Sequence, residues 1–352
     1  MARYLARASA AAIAATAVFG VAVPASAGDH KDFNQDGHIL IADQFNNRVI
    51  EIDRNHHVVW QFGLGPNDVS AKSIIGVNDV QRVGDLTLMA GTGAPAGTEP
   101  NCPNGCADNR VILVDEDGNI KWQYGTFGVT GAGDNELNTP VQSTWLPSKH
   151  VLITDQGNSR IIEVNKNHDI VWQYGMTGNP GSGANQLNNP NSAELLENGH
   201  VLISDENNNR VIEVNRDHQI LWQYPTTPDP LLLNGAAFAS RLENGNTLIT
   251  DSLNNRIIEV THSGNVVWSF VTNTRNGSNA NPNPTRAVRL KNGDTLISDQ
   301  FNQQVSEVNH AGHIVFSDGK INAPGAGFNR LNGPYDAKVV GDYTGLTAPF
   351  DD

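Results

Sequence analysis

The 352-residue chain is poor in cysteine, methionine and charge: it holds 2 Cys and 3 Met, and only 17% of it is Asp, Glu, Lys or Arg. So low a charged fraction excludes a coiled coil. Two cysteines, Cys102 and Cys106, cannot complete a cysteine-type zinc site without a second pair, so no zinc is expected. Basic residues are scarcer than acidic ones, 23 against 37, and the net charge is −14. That balance argues against nucleic acid, because phosphate binding needs clustered Lys and Arg. Beyond residue 27 no stretch approaches the roughly 18 apolar residues of a spanning helix, so no membrane span is expected.

What is present points to a turn-rich β protein. Apolar residues make up 38%, too many for wholesale disorder, and 34 Gly with 17 Pro follow no three-residue period. Residues 1–27 have the pattern of a secretory signal peptide. Arg3 and Arg7 are followed by an apolar stretch from Ala10 to Val23 and a small-x-small cleavage site at Ala25-Ser26-Ala27. The expected mature chain, 28–352, is a single domain, secreted or otherwise extracytoplasmic, and a monomer. It carries a charge of −16, since residues 1–27 hold two Arg and no acid. In an oxidising compartment Cys102 and Cys106 are expected to pair, stabilising their short loop by about 2 kcal/mol.

One unit repeats six times. It reads Leu196-Glu-Asn-Gly-His-Val-Leu-Ile-Ser-Asp205, then Glu-Asn-Asn-Asn-Arg210-Val-Ile-Glu-Val-Asn215, then Arg-Asp-His-Gln-Ile-Leu-Trp222-Gln-Tyr224. Arg48, Arg110, Arg160, Arg210, Arg256 and Gln304 hold one position, at steps of 62, 50, 50, 46 and 48 residues. Trp60, Trp122, Trp172, Trp222, Trp268 and Phe316 hold another. Each unit parses into four strands with tight Asn-Gly turns, because Gly tolerates the positive φ that such turns require. The predicted fold is all-β, a six-bladed β-propeller of four-stranded blades. The N-terminal unit lacks a first strand and Asn332 to Val340 supplies a spare one. The ring is therefore expected to close by the C-terminal strand joining the N-terminal blade.

The segments Ala42-Asp-Gln-Phe-Asn-Asn-Arg-Val-Ile-Glu-Ile52 and Asp205-Glu-Asn-Asn-Asn-Arg210 resemble the NHL repeat. So does Gly175-Met-Thr-Gly-Asn-Pro-Gly leading to Asn188-Asn-Pro190. The Asn-Gly-x-x-Leu-Ile-x-Asp and Val-Trp-Gln-Tyr elements are also similar to arylsulfotransferase-like bacterial propeller repeats. The resemblance covers nearly the whole mature chain and implies the fold; propellers of this kind include lyases, hydrolases and pure binding scaffolds.

Turns between strands one and two, and three and four, define a short-turn end of the ring. The Asp-x-x-Asn-Asn-Arg turns, the inter-blade loops and a cysteine-bearing insertion at 91–110 define a long-loop end, where binding is expected. Ten of 11 His map to the short-turn end. The His-ligated metal of NHL-type amidating lyases and the catalytic His of arylsulfotransferases thus have no counterpart at matching positions. No pyrroloquinoline quinone signature is visible.

Features common to all blades read as scaffold, and departures from the pattern as more informative. Gly91 replaces the recurrent Asp, and the span to Arg110 is 19 residues instead of 5. The inner strands can line a central channel. There Gln142, Ser192, Glu194, Arg286 and Asp336 are candidate ligand-binding residues for a small polar molecule or Ca²⁺; a water-filled channel is the alternative. Asp32, Asn34 and Asp36 resemble the start of a Ca²⁺ loop. Phe45 and Phe301 are candidate partner contacts. The leading expectation is a secreted binding or interaction scaffold for a protein or small polar ligand. The alternative is a hydrolase or lyase acting on a small polar substrate in the channel, with Ca²⁺ as a possible cofactor.

Overall fold

The repeating strands need partners on both faces, and a ring of radially packed sheets supplies them. A computed structural model describes residues 32–229 and 231–349; residues 1–27, expected to be a signal peptide, lie outside the described residues. Six four-stranded antiparallel sheets form the blades of a six-bladed β-propeller, and the described residues contain no α-helix.

From the axis outwards, blade two uses Val77–Val83, Leu86–Ala94, Cys106–Val114 and Ile120–Tyr124. Blade three uses Pro140–Trp145, Val151–Asp155, Arg160–Val164 and Ile170–Tyr174. Blade four uses Ser192–Leu195, Val201–Asp205, Arg210–Val214 and Ile220–Tyr224. Blade five uses Ala236–Arg241, Thr247–Asp251, Arg256–Val260 and Val266–Val271. Blade six uses Arg286–Arg289, Thr295–Asp299, Gln304–Val308 and Ile314–Gly319. Blade one joins the chain ends: Pro334–Val339 lies inside Ile39–Asp43, Arg48–Ile52 and Val58–Phe62. Its inner pairing is antiparallel, with Ile39 opposite Val339, so the ring closes as expected.

The core is six apolar layers, each shared by adjoining blades. Leu202, Trp222 and Tyr224 of blade four pack with Ala239, Ile249 and Ile258 of blade five, for instance. Second strands such as Val201–Asp205 are buried on both faces, which explains their continuous apolar runs. A bulge recurs between the third and outer strands, where Val214 pairs Ile220 and Glu213 pairs Trp222. It leaves Leu221 and its equivalents Val171, Val267 and Val315 exposed.

The insertion at 91–110 is only partly loop. It lengthens the two middle strands of blade two to nine residues each. The hairpin tip is tied by the Cys102–Cys106 disulfide and folds back onto blade one, where Asn47 donates to the buried Glu99.

Candidate functional site

The long-loop end is built from one turn design. In blades one, three, four, five and six the second strand ends on Asp. A three-residue 3-10 turn follows, and then a residue with φ between 49° and 62°. One carboxylate oxygen accepts from the strand-three Arg: Arg48 at 2.8 Å, Arg160 and Arg210 at 2.7 Å, Arg256 at 2.6 Å. The same oxygen takes the turn amide, as Asn46 gives to Asp43 at 2.7 Å. The other oxygen receives a backbone N–H of the inter-blade loop, from Asn332, Asn138, Asn188 or Asn234. Burial pushes these carboxyls up and the Arg and amide donors oppose it. The motif is a turn lock that occupies both oxygens of the Asp and the Nε of the Arg.

Both breaks in the motif are repaired. In blade two Asp108, two residues before Arg110, puts its carboxylate where the missing Asp would stand. It accepts from Arg110 Nε at 2.6 Å and from the Ile75 N–H at 2.7 Å. A Cβ on Gly91 would lie 2.7 Å from the Asp108 Cγ, so Gly91 makes room for the substitute. In blade six Gln304 replaces Arg, and Arg275 from the inter-blade loop supplies the cation. It pairs with Asp299 and donates to Gln304 Oε1 at 2.8 Å.

The axis is filled with side chains. Arg286, 1% exposed, donates to the Asn191 side chain at 2.9 Å and to the carbonyls of Val141 and Ala237. Its guanidinium sits between the rings of Phe238 and Tyr335, so one side chain ties blade six to blades three, four and five. A step towards the short-turn end, Lys338 Nζ bonds Asp79 at 3.0 Å, Asp336 at 2.5 Å and the Val80 carbonyl at 2.6 Å. Burial pushes the Asp79 carboxyl up against the pull of Lys338, and nearby Asp336 adds to the rise.

Gln142 then donates to Glu194 Oε1 at 2.8 Å and accepts from the Ala193 N–H at 2.6 Å. Glu194 Oε2 takes the Thr347 N–H at 2.9 Å and its hydroxyl at 2.6 Å, while Gln81 donates to the Thr347 carbonyl. Ser192 is buried and its hydroxyl has no partner among the described residues. The candidates Gln142, Ser192, Glu194, Arg286 and Asp336 therefore do lie on the axis. The charged ones and Gln142 are held by neighbouring blades and by the C-terminal tail. The tail's plugging role was missed; its only signal is a polar Thr-Gly-Leu-Thr run after the closing strand.

At the long-loop mouth the first turn residues are Gln44, Gln156, Glu206, Ser252 and Gln300. Glu206 is the one carboxylate of that series, a departure the repeat alignment contained and the sequence reading passed over. Asn191 donates to Glu206 at 2.8 Å and to the Tyr335 hydroxyl at 3.0 Å. Across the mouth Gln300 donates to Gln44 at 2.7 Å and Gln44 to Asn78 at 2.6 Å. Burial pushes Glu206 up. Phe45 and Phe301 stand beside Gln44 and Gln300, both half-buried, and the Phe45 ring packs on Gly333. Leu253 is 52% exposed at the matching position of blade five.

At the short-turn end the recurrent Glu is an inter-blade clasp. Glu213 holds His200 at 2.8 Å and Arg241 of blade five at 2.9 Å. Glu51 does the same with His38 and Arg82, and Glu163 with His150 and Arg216. Each Arg lies over a Trp ring, Arg241 at 4.9 Å from the centroid of Trp222. That Trp donates its N–H to the His262 carbonyl of the next blade. Both series are thus structural.

Asp32, Asn34 and Asp36 do not converge. Asp32 is exposed, the Asn34 amide bonds Gly84 and Asp85 of blade two, and Asp36 lies against Gly341. Among the described residues no three His, Cys, Asp or Glu side chains group as a metal ligand set, and no helix is long and apolar enough to cross a membrane.

Fold and site together define a closed six-bladed β-propeller with a plugged axis and a polar long-loop mouth. No known family model and no curated protein matches the chain. Solved structures do. A protein of unknown function from Bacteroides caccae aligns with TM-score 0.57 and 16% identity, over 80% of this chain and 93% of that one. A streptogramin B lyase aligns with TM-score 0.52 and 13% identity over 79% and 78%. A nidogen/laminin complex aligns with TM-score 0.51 and 12% identity over 80% and 92%. At such identities the likeness is one of fold.

Proposed function

We propose that the protein is a secreted, NHL-type binding propeller that takes a partner or small polar ligand at its long-loop mouth. The observation that supports binding over hydrolase or lyase chemistry is the state of the axis. Arg286, Lys338, Asp79 and Glu194 all have their charges engaged within the ring, whereas a general acid or base must be free to exchange a proton with its substrate. The mouth instead offers amides, one carboxyl at Glu206 and flanking Phe45, Phe301 and Leu253, a polar floor with apolar borders of the kind that orients ligands. Fold neighbours include a lyase and a protein complex, so the fold alone does not choose between the two readings. Secretion rests on the N-terminal pattern and the disulfide.

The test is site-specific photo-crosslinking in the secreting host. Benzoylphenylalanine placed at 45 or 301 is expected to give a discrete adduct that the same label at Val267, on an outer edge, does not. Equal labelling from all three positions, or none from the mouth, refutes the reading.

A further inference from the structure

A cavity lies at the opposite end, away from the mouth. It encloses about 700 Å³ between blades four and five, within the ~300–1,000 Å³ of small-ligand sites. Leu196 and Glu197 line it from one blade, Leu242 and Glu243 from the next, and the C-terminal tail closes it with Tyr343 and Leu346. The tail is fixed there because Thr347 is anchored to Glu194 and Leu195.

The charge around this space is one-sided. Arg241 faces it but is bonded to Glu213 and stacked on Trp222. Glu213 is satisfied in turn by His200, Asn198 and Arg241, and those donors draw its carboxyl below the ordinary range against the effect of burial. His262 and Tyr343 also line the cavity; the His262 ring lies on Trp222. Glu197 and Glu243 are exposed turn residues with no bonding partner among the described residues. In blade six the same turn position holds Lys291. Unpaired acid is thus placed on both sides of this tail-walled inter-blade groove, over leucine and tyrosine surface.

We infer that this cavity is a second binding site, distinct from the long-loop mouth, for an organic cation: an amine or guanidine carried on an apolar body. The apolar part lies against Leu196, Leu242 and Leu346, and the cation faces Glu197 and Glu243. An anion would meet net negative walls on a chain that is itself strongly acidic.

Isothermal titration calorimetry of the full chain at pH 8 with benzylamine, and with its neutral analogue benzyl alcohol, tests this. Benzylamine is expected to bind in the millimolar range or tighter and about tenfold better than benzyl alcohol, with the advantage shrinking as salt rises. The double variant E197Q/E243Q is expected to remove that advantage. The control E116Q/D117N, acids on a remote turn of blade two, is expected to keep it. No binding of benzylamine, equal binding of the alcohol, or equal loss in the control overturns the assignment. Both pairs are exposed turn residues, and a circular-dichroism melt verifies that each variant is folded.

Discussion

Replacing Arg275 by Ala tests whether blade six really borrows its cation from a loop. Asp299 is 1% exposed, and its Oδ1 has no partner where other blades supply a backbone N–H. Its Oδ2 relies on Asn302 at 2.8 Å and on Arg275. Burial already pushes this carboxyl from 3.8 to about 6, despite Arg275, a rise equivalent to roughly 3 kcal/mol. The folded value exceeds the unfolded one, so this group weakens the fold as pH rises through about 4 to 6 and costs least below that window.

In R275A a single amide donor remains. Removing one member of a buried pair costs about 3–5 kcal/mol, and the partial solvent access of Arg275 favours the lower end. We expect R275A to lose about 3 kcal/mol at pH 8. At pH 5, with the carboxyl largely protonated, we expect only the lost hydrogen bonds, about 1 kcal/mol. The added substitution Gln304→Arg restores the guanidinium from strand three, as Arg256 does in blade five at 2.6 Å, and should recover most of the loss. Urea unfolding followed by tryptophan fluorescence at both pH values reads these changes as midpoint shifts at constant slope. A cost under about 1 kcal/mol at pH 8, a pH-independent cost, or no rescue by Q304R would refute the borrowed-cation account.

Two further outcomes follow from the short-turn end. Asp294 occupies the position of His200 and Asn246, yet its neighbour is Glu307; burial and that like charge push its carboxyl up. Asn246 donates to Glu259 at 2.7 Å, so Asp294→Asn should gain the equivalent bond and raise the melting temperature at pH 7. The gain is a few tenths to about 1 kcal/mol given solvent screening. It should shrink as pH falls and the Asp294 carboxyl, raised above its ordinary value, takes up a proton; a gain of equal size at pH 7 and in acid would contradict the like-charge explanation. Thr347→Val removes the hydroxyl that Glu194 accepts at 2.6 Å and should cost about 1–3 kcal/mol. Burial has already raised the Glu194 carboxyl, so this loss should be larger at pH 8 than at pH 5. Unchanged amide exchange at Leu346 and Ala348 would show that the tail does not depend on that bond.

The blade count, the four-strand parse and the closing strand were legible in the sequence because each rests on local, periodic signals: Asn-Gly turns, short apolar runs and the Arg and Trp positions. The axis was legible only in part. Inner-strand position identifies Gln142 or Glu194 as central, but it does not reveal what reaches them. Thr347 is 153 residues from Glu194, and no repeat predicts that contact.

The turn motif carries the sharper lesson. Treating recurrence as scaffold and departure as function makes Gly91 and Gln304 conspicuous. Yet Asp108 and Arg275 restore the missing charges from outside the aligned positions, by extending a strand and by reaching from a loop. Taking the cation from a buried ion pair, or the carboxylate from a buried cation, costs several kcal/mol, about 3–5, so stability alone accounts for such paired departures. A break in a repeat therefore points to function only after the structure has been searched for its repair. Glu206 meets that condition: it adds a carboxyl where the other blades carry amides or a hydroxyl, and Asn191 and Gln156 contribute only neutral hydrogen bonds to it. Arg286, the nearest cation to influence it, is itself directed to Asn191 and to backbone carbonyls. That unrepaired difference, at the mouth of the ring, is the charge on which the proposed binding site rests.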